Sequence, residues 1–164
     1  MPSSTPTPQP DPTGFVTIAH RVVWCAMATV DVRGRPRSRI VHPVWTIGTD
    51  GVPVGRIVSR RGSPKAAHLA GTPFASCAYR GEDHTVAVAE CEAGWDPQPD
   101  WDLFRVPPYP VGFEPDAMFA GGTGSPDAGV VVLRPWRLRW AEGGDLAAGH
   151  AQQVWRASDA VSTR

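Results

Sequence analysis

From Val22 onward the chain alternates apolar and polar positions with the period of a strand, in short runs divided by glycine-bearing turns. Val22 to Val30 is apolar and β-branched enough for a buried strand, and Asp31-Val32-Arg33-Gly34 reads as a hairpin turn. Pro36 to Ile47 continues as a second strand, Thr49-Asp50-Gly51 turns the chain again, and Val52 to Ser59 gives a third. Ser63-Pro64-Lys65 then has the form of a helix start, an N-cap residue followed by proline at the first helical position, with the helix running to about Ala70 and Gly71 stopping it. Phe74 to Arg80 and Thr85 to Cys91 read as two more antiparallel strands around Gly81-Glu82-Asp83. Val130 to Ala141 is a sixth, with Pro135 marking a bulge or a sheet edge. Gly14 to Arg21 fits a short helix, and Ala147 to Trp155 fits either a terminal helix or a last strand.

Two stretches break the pattern. Residues 1–12 alternate proline with Ser, Thr and Gln, the composition of a disordered tail. Residues 92–127 mix seven prolines with Trp95, Trp101, Phe104, Tyr109, Phe113 and Phe119. A flexible linker would not carry so many aromatic rings, so this is an ordered excursion with short helices near Trp101–Arg105 and Glu114–Phe119. It reads equally as a cap that shapes a ligand pocket or as cover for a core or an interface. The expectation is mainly β, a six-stranded antiparallel barrel with a few short helices, forming a single domain over residues 13–164.

Composition narrows the function classes. A formal net charge of zero over 164 residues argues against general nucleic-acid binding. No apolar run approaches the roughly 18 residues of a membrane span, and no signal-peptide pattern opens the chain. Cys25, Cys77 and Cys91 are widely spaced and read as buried reduced thiols, which points to the cytoplasm. His20, His42, His68, His84 and His150 are too scattered for a metal site.

The charge is nevertheless uneven. Arg33, Arg35, Arg37, Arg39, Arg56, Arg60, Arg61 and the lone lysine, Lys65, share a stretch whose single acid is Asp50, while Glu82 to Asp116 is acidic. Alternation puts Arg35, Arg37, Arg39 and Val41 on one strand face, about 7 Å apart for each pair of residues. Ser59 ends the following strand. The helix start at Ser63-Pro64-Lys65 offers unsatisfied N–H groups and a dipole to an anion. A lysine in a first turn opposes that dipole unless an anion compensates it. On spacing alone, a solvated face and a phosphate site both remain open.

Trp24 to Arg80 resembles the FMN-binding split barrel of the pyridoxamine 5'-phosphate oxidase-like superfamily. The resemblance is carried by Ala26-Met27-Ala28-Thr29-Val30 with its turn, by Arg35 through Trp45, by the strand ending at Ser59, by Ser63-x-Lys65, and by Leu69-Ala70-Gly71-Thr72-Pro73. Val131 to Arg139 and Val154-Trp155-Arg156 resemble the closing strands. The resemblance implies a six-stranded antiparallel split barrel that forms a homodimer and binds FMN between subunits, with cofactor contacts at Arg37, Arg39, Val41, Ser59, Arg60, Ser63 and Lys65. It implies Trp155, with Arg156, as a residue lent to the partner's cofactor. Val44 and Pro64 stand where tight FMN-binding oxidases carry basic residues, and the substrate-phosphate residues of true pyridoxamine phosphate oxidases are not recognisable. Related branches use the deazaflavin F-420, whose longer anionic tail would suit Arg37, Arg60 and Arg61. The implied activity is hydride transfer to or from a small organic substrate. The alternative is a non-catalytic flavin or haem binding protein on the same barrel, for which His42 or His150 would be the axial ligand. No catalytic acid or base stands out. His42 alternates away from Arg39 and reads as a core or interface histidine.

Overall fold

A computed structural model describes residues 8–109 and 113–158. Helix α1 (Thr13–Val22) leads into β1 (Cys25–Val30), β2 (Pro36–Val41), β3 (Val44–Ile47) and β4 (Pro53–Arg60). Helix α2 (Pro64–Gly71) follows, then β5 (Phe74–Arg80) and β6 (Val86–Trp95). Short 3-10 turns occupy Trp101–Phe104, Pro115–Met118 and Gly122–Gly124 before β7 (Ala128–Ala141), α3 (Gly143–Ala147) and β8 (Gln153–Arg156). None of the described helices is long and apolar enough to cross a membrane.

The chain is mainly β and antiparallel, but it has eight strands in one open sheet, not six in a closed barrel. The hydrogen-bonded order is β2-β1-β5-β6-β7-β4-β3, with β8 also on β7. Two departures from the sequence reading account for the difference. The run from Pro36 to Ile47 is interrupted at His42-Pro43, because proline has no N–H for a ladder and restricts the residue before it. Its two halves end on opposite edges of the sheet. The terminal segment supplies the other extra strand, β8. Val22 also belongs to α1 and not to the first strand, and residues 92–95 extend β6.

Strand β7 organises the sheet. It pairs with β6 along its length, while its other edge meets β4 through Ala128–Leu133 and then β8 through Arg137–Trp140. Pro135 falls between those two partners, and the β6 register shifts opposite it, between Glu90 and Cys91. The expected bulge is therefore present where the missing N–H requires no partner.

Side chains on the inner face build the main core. Ala87, Ala89 and Ala93 of β6 leave room that Phe15 and Ile18 of α1, Trp45 of β3 and Tyr79 of β5 fill. Phe15 meets Trp45 and Tyr79 edge-on at 5.0 and 6.1 Å, and the Trp45 indole N–H donates to the Tyr79 hydroxyl at 2.7 Å. Gly55 is required beneath Trp45, because a Cβ there would sit 3.0 Å from the ring. Free Cys25, Cys77 and Cys91 are buried in the same core.

A second core forms on the outer face. Phe104, Tyr109 and Phe119 from the excursion pack on Val44 of β3, Val58 of β4, and Ala128 and Val130 of β7. Arg105 pins this segment through Asp102, Glu114 and Asp116 at 2.8 to 3.0 Å. The aromatic excursion thus covers its own sheet. Of the expected N-terminal tail, residues 1–7 lie outside the described set. Asp11 accepts from the N–H of Thr13 at 2.9 Å, and the Gln9 side chain accepts from the N–H of Arg156 at 2.8 Å.

Because Phe15 joins the helix to both halves of the sheet, Phe15→Ala is expected to cost about 3–5 kcal/mol. Urea denaturation followed by circular dichroism checks this, and a loss below about 1 kcal/mol would contradict the packing described.

Candidate functional site

Beyond the C-terminal end of β2 the sheet is open, and a cleft of about 310 Å³ lies there. Ile40 and Val41 of β2, His42, Ile57 and Val58 of β4, and Lys65 of α2 form one side. Tyr109, Phe113 and Met118 of the excursion form the other, and Trp24 completes the rim. The excursion is therefore both core cover and cleft wall.

Lys65 lines this cleft and Arg39 lies near it, both without an acid among the described residues. Arg39 lies opposite Met27 in the β1–β2 ladder and reaches across β1, donating to the Thr29 hydroxyl at 2.7 Å and the Met27 carbonyl at 3.4 Å. Its second terminal nitrogen is 3.5 Å from Nδ1 of His68, to which the Thr29 hydroxyl also lies close, at 2.9 Å. Both contacts are satisfied if that ring nitrogen accepts. Burial, and then the charge of Arg39, lowers the pKa of Lys65; burial, and then Arg37, lowers that of Arg39. Among the described residues no carboxylate pairs with either. Desolvated like charges side by side are costly unless an anion joins them.

The start of α2 adds to this. Ser63 is extended at the N-cap position, but its hydroxyl makes no capping bond and lies 3.5 Å from the hydroxyl of Ser59. Pro64 has no N–H, and the Ala66 N–H donates to the Ser63 carbonyl at 2.9 Å. Val41 and Lys65 thus line the cleft with Arg39 near Lys65, while Ser59 and Ser63 sit together at the turn that precedes α2.

The remaining sequence-predicted residues lie elsewhere. Arg37 turns to Asp31 at 3.6 Å, and Arg35 pairs with the same carboxylate at 2.8 Å. With two backbone N–H donors as well, the Asp31 carboxyl is held down at about 2, chiefly by its hydrogen bonds from Arg35. The basic rail is neutralised at that end by an acid just outside the basic stretch. Arg60 alternates away from Ser59 and holds the excursion, donating to the Met118 carbonyl, approaching Asp127 at 3.5 Å and lying 5.8 Å from the Phe119 ring. Arg61 stacks on Trp95 at 4.6 Å and donates to the Ala128 carbonyl. Trp155, expected at a partner's cofactor, is instead buried in its own core, because β8 turns Trp155 inward and Arg156 outward.

Sequence reasoning missed Thr29, His68, Trp24 and Tyr109. Thr29 did leave a signal, a hydroxyl in an otherwise apolar inward series with Cys25 and Met27. Tyr109 left none, since only the fold brings the excursion beside β2.

His42 is 6% exposed, stacked on Tyr109 at 4.1 Å and 11°, and tilted against Trp24 at 5.5 Å. The Tyr109 hydroxyl donates to the His42 carbonyl, while the ring nitrogen Nε2 of His42 has no partner among the described residues. Burial, and then nearby His20, lowers its pKa. Burial likewise lowers that of His20, whose Nε2 accepts the Trp45 N–H at 3.0 Å and so requires the neutral ring. His150 is exposed beside Asp145. No group of His, Cys, Asp and Glu suited to a metal occurs among the described residues.

Solved structures share this architecture. A pyridoxamine 5'-phosphate oxidase-related, FMN binding protein from Nostoc punctiforme superposes with a TM-score of 0.60 at 15% identity, covering 93% of this chain and 92% of that one. General Stress Protein 26 from Bacillus anthracis gives 0.59 at 15% identity over 78% and 91%. An F420 reductase gives 0.57 at 16% identity over 80% and 98%. The chain shares the fold of these solved structures. No protein-family model and no curated protein sequence matches it. The likeness is therefore one of fold.

Buried His42 and half-buried His20 set a pH dependence. Their folded values lie below the ordinary 6.5, so below that pH the unfolded chain binds protons that the folded chain does not. Stability should be complete above pH 6.5 and fall as the pH drops toward the folded values. Urea midpoints at pH 7.5 and 5.0 measure the fall, and His20→Gln with His42→Gln should flatten it; an unchanged slope in the double variant would contradict the assignment.

Proposed function

We propose that the protein is a flavin-dependent oxidoreductase that binds FMN in the cleft as a homodimer. The observation that carries this reading is a pair of half-buried cations without a carboxylate partner among the described residues: Lys65 lines an otherwise largely apolar cleft, and Arg39 stands near it. Such a site suits a ligand with one anionic end and one flat apolar end. Arg39 and Lys65 would hold the phosphate with the Ser63 turn beside them, the guanidinium through directed donors and the ammonium as a point charge. Val41, Val58 and Tyr109 would keep water from the ring. A flavin, when bound, supplies hydride chemistry, and the chain orients it toward a small organic substrate.

FMN is preferred to the deazaflavin F-420. Arg37, Arg60 and Arg61, which would meet the longer anionic tail, are engaged by Asp31, Asp127 and the excursion. A homodimer is supported by the outer sheet face, where Ile40, Phe74 and Trp136 are 66, 50 and 43% exposed. Phe74 and Trp136 meet edge-on at 5.6 Å there. Ile40 belongs both to that face and to the cleft, so a second copy on the face would also border the ligand.

Fluorescence titration tests the ligand reading. Arg39→Ala and Lys65→Ala should each weaken FMN binding by about 10- to 100-fold, the range of a charge-assisted contact, and leave riboflavin binding unchanged. A wild-type protein that binds neither FMN nor F-420 at micromolar concentration would refute it. Phe74→Glu should convert a dimer to a monomer in sedimentation velocity, and a monomeric wild type would refute the dimer.

A further inference from the structure

A strained turn stands between α1 and β1. The Trp24 N–H donates to the Val22 carbonyl at 2.9 Å across Val23, whose φ of 73° and ψ of −66° are those of the rare positive-φ γ-turn. A β-branched residue is a poor occupant of such a conformation. The turn is fixed from both sides: the Val23 N–H caps α1 on the Ala19 carbonyl at 2.9 Å, and Cys25 enters the core immediately afterwards. A short connection explains a tight turn. It does not explain why the turn delivers a tryptophan that stays more than half exposed on the rim of the cleft.

Behind Trp24 the structure is stiff. Its indole leans on the His42 ring, which is stacked on Tyr109, and the Tyr109 hydroxyl ties back to the His42 carbonyl. An exposed indole backed by two locked rings is already organised for a flat partner, because little side-chain freedom is left to lose on binding. Strain retained at such a position is the pattern of a functional constraint.

We infer that Trp24 is the stacking platform for the planar ring of the cleft ligand, and that the Val23 turn exists to fix it. This rests on the flavin reading, in which the ring occupies the end of the cleft away from Arg39 and Lys65. Trp24 then determines which ligands are held by their rings, independently of their anionic ends.

The test uses FMN and riboflavin in parallel, with F-420 as a further probe, on the full chain. Trp24→Leu keeps an apolar side chain but removes the stacking face. It should weaken FMN and riboflavin by the same factor, about ten-fold or more, whereas Lys65→Ala weakens FMN alone. Ligand bound to the variant should also recover the emission that a stacked indole quenches. Val23→Gly relieves the strained φ and should leave thermal stability equal or higher while weakening both ligands several-fold. If Trp24→Leu binds both ligands as the wild type does while Lys65→Ala loses FMN, the platform is refuted and the flavin reading stands. If the wild type binds none of the three probes, both are refuted.

Discussion

Pro43 imposes the constraint from which the rest of the molecule follows. It has no N–H to give to a ladder, and it restricts His42 before it, so a run of residues that alternates like one long strand becomes two. The halves, β2 and β3, lie at opposite ends of the hydrogen-bonded order. The sheet is left open beside that break, and the cleft occupies the opening, lined by Val41 and His42 on the β2 side.

Much of the fold was legible because strands with one buried face announce themselves by alternation. The pattern of β1, inward at Cys25, Met27 and Thr29, and of β5, inward at Ala75, Cys77 and Tyr79, matches its sequence directly. The break at Pro43 was missed because the residues on both sides remain apolar and β-branched, which is what an uninterrupted strand also looks like. The positions of the candidate residues were legible where they depend on local chemistry. Lys65 at a helix start and Arg39 on a strand face could be placed from spacing alone. Arg37, Arg60 and Trp155 could not, since their directions depend on Asp31, on the excursion and on the pairing of β8 with β7.

The electrostatics of the site run against the stability of the ligand-free chain. Several other arginines have acid partners: Arg105 has three carboxylates, Arg137 has Glu90, and Arg35 has Asp31. Arg39 and Lys65 share a desolvated position with a hydroxyl, a carbonyl and an imidazole. A chain with net charge zero and ample acids has kept them away from this pair. The cost is tolerable because the surrounding core is well packed, with the cleft confined to its margin.

The two cores are built on opposite faces of the same sheet, and the cleft borders both: Ile57 belongs to the inner one, and Val58 and Tyr109 to the outer one. The outer core consists largely of a loop-rich segment held by aromatic contacts and the carboxylates around Arg105, with few strand hydrogen bonds of its own. Cooperative units of that kind open at lower free energy than a sheet does. The excursion is therefore expected to open as a sub-global unit distinct from β5, β6 and β7. Its opening would carry Tyr109 and Met118 away from the cleft while Arg39 and Lys65 stay in place, giving a ligand a way in that leaves the sheet folded.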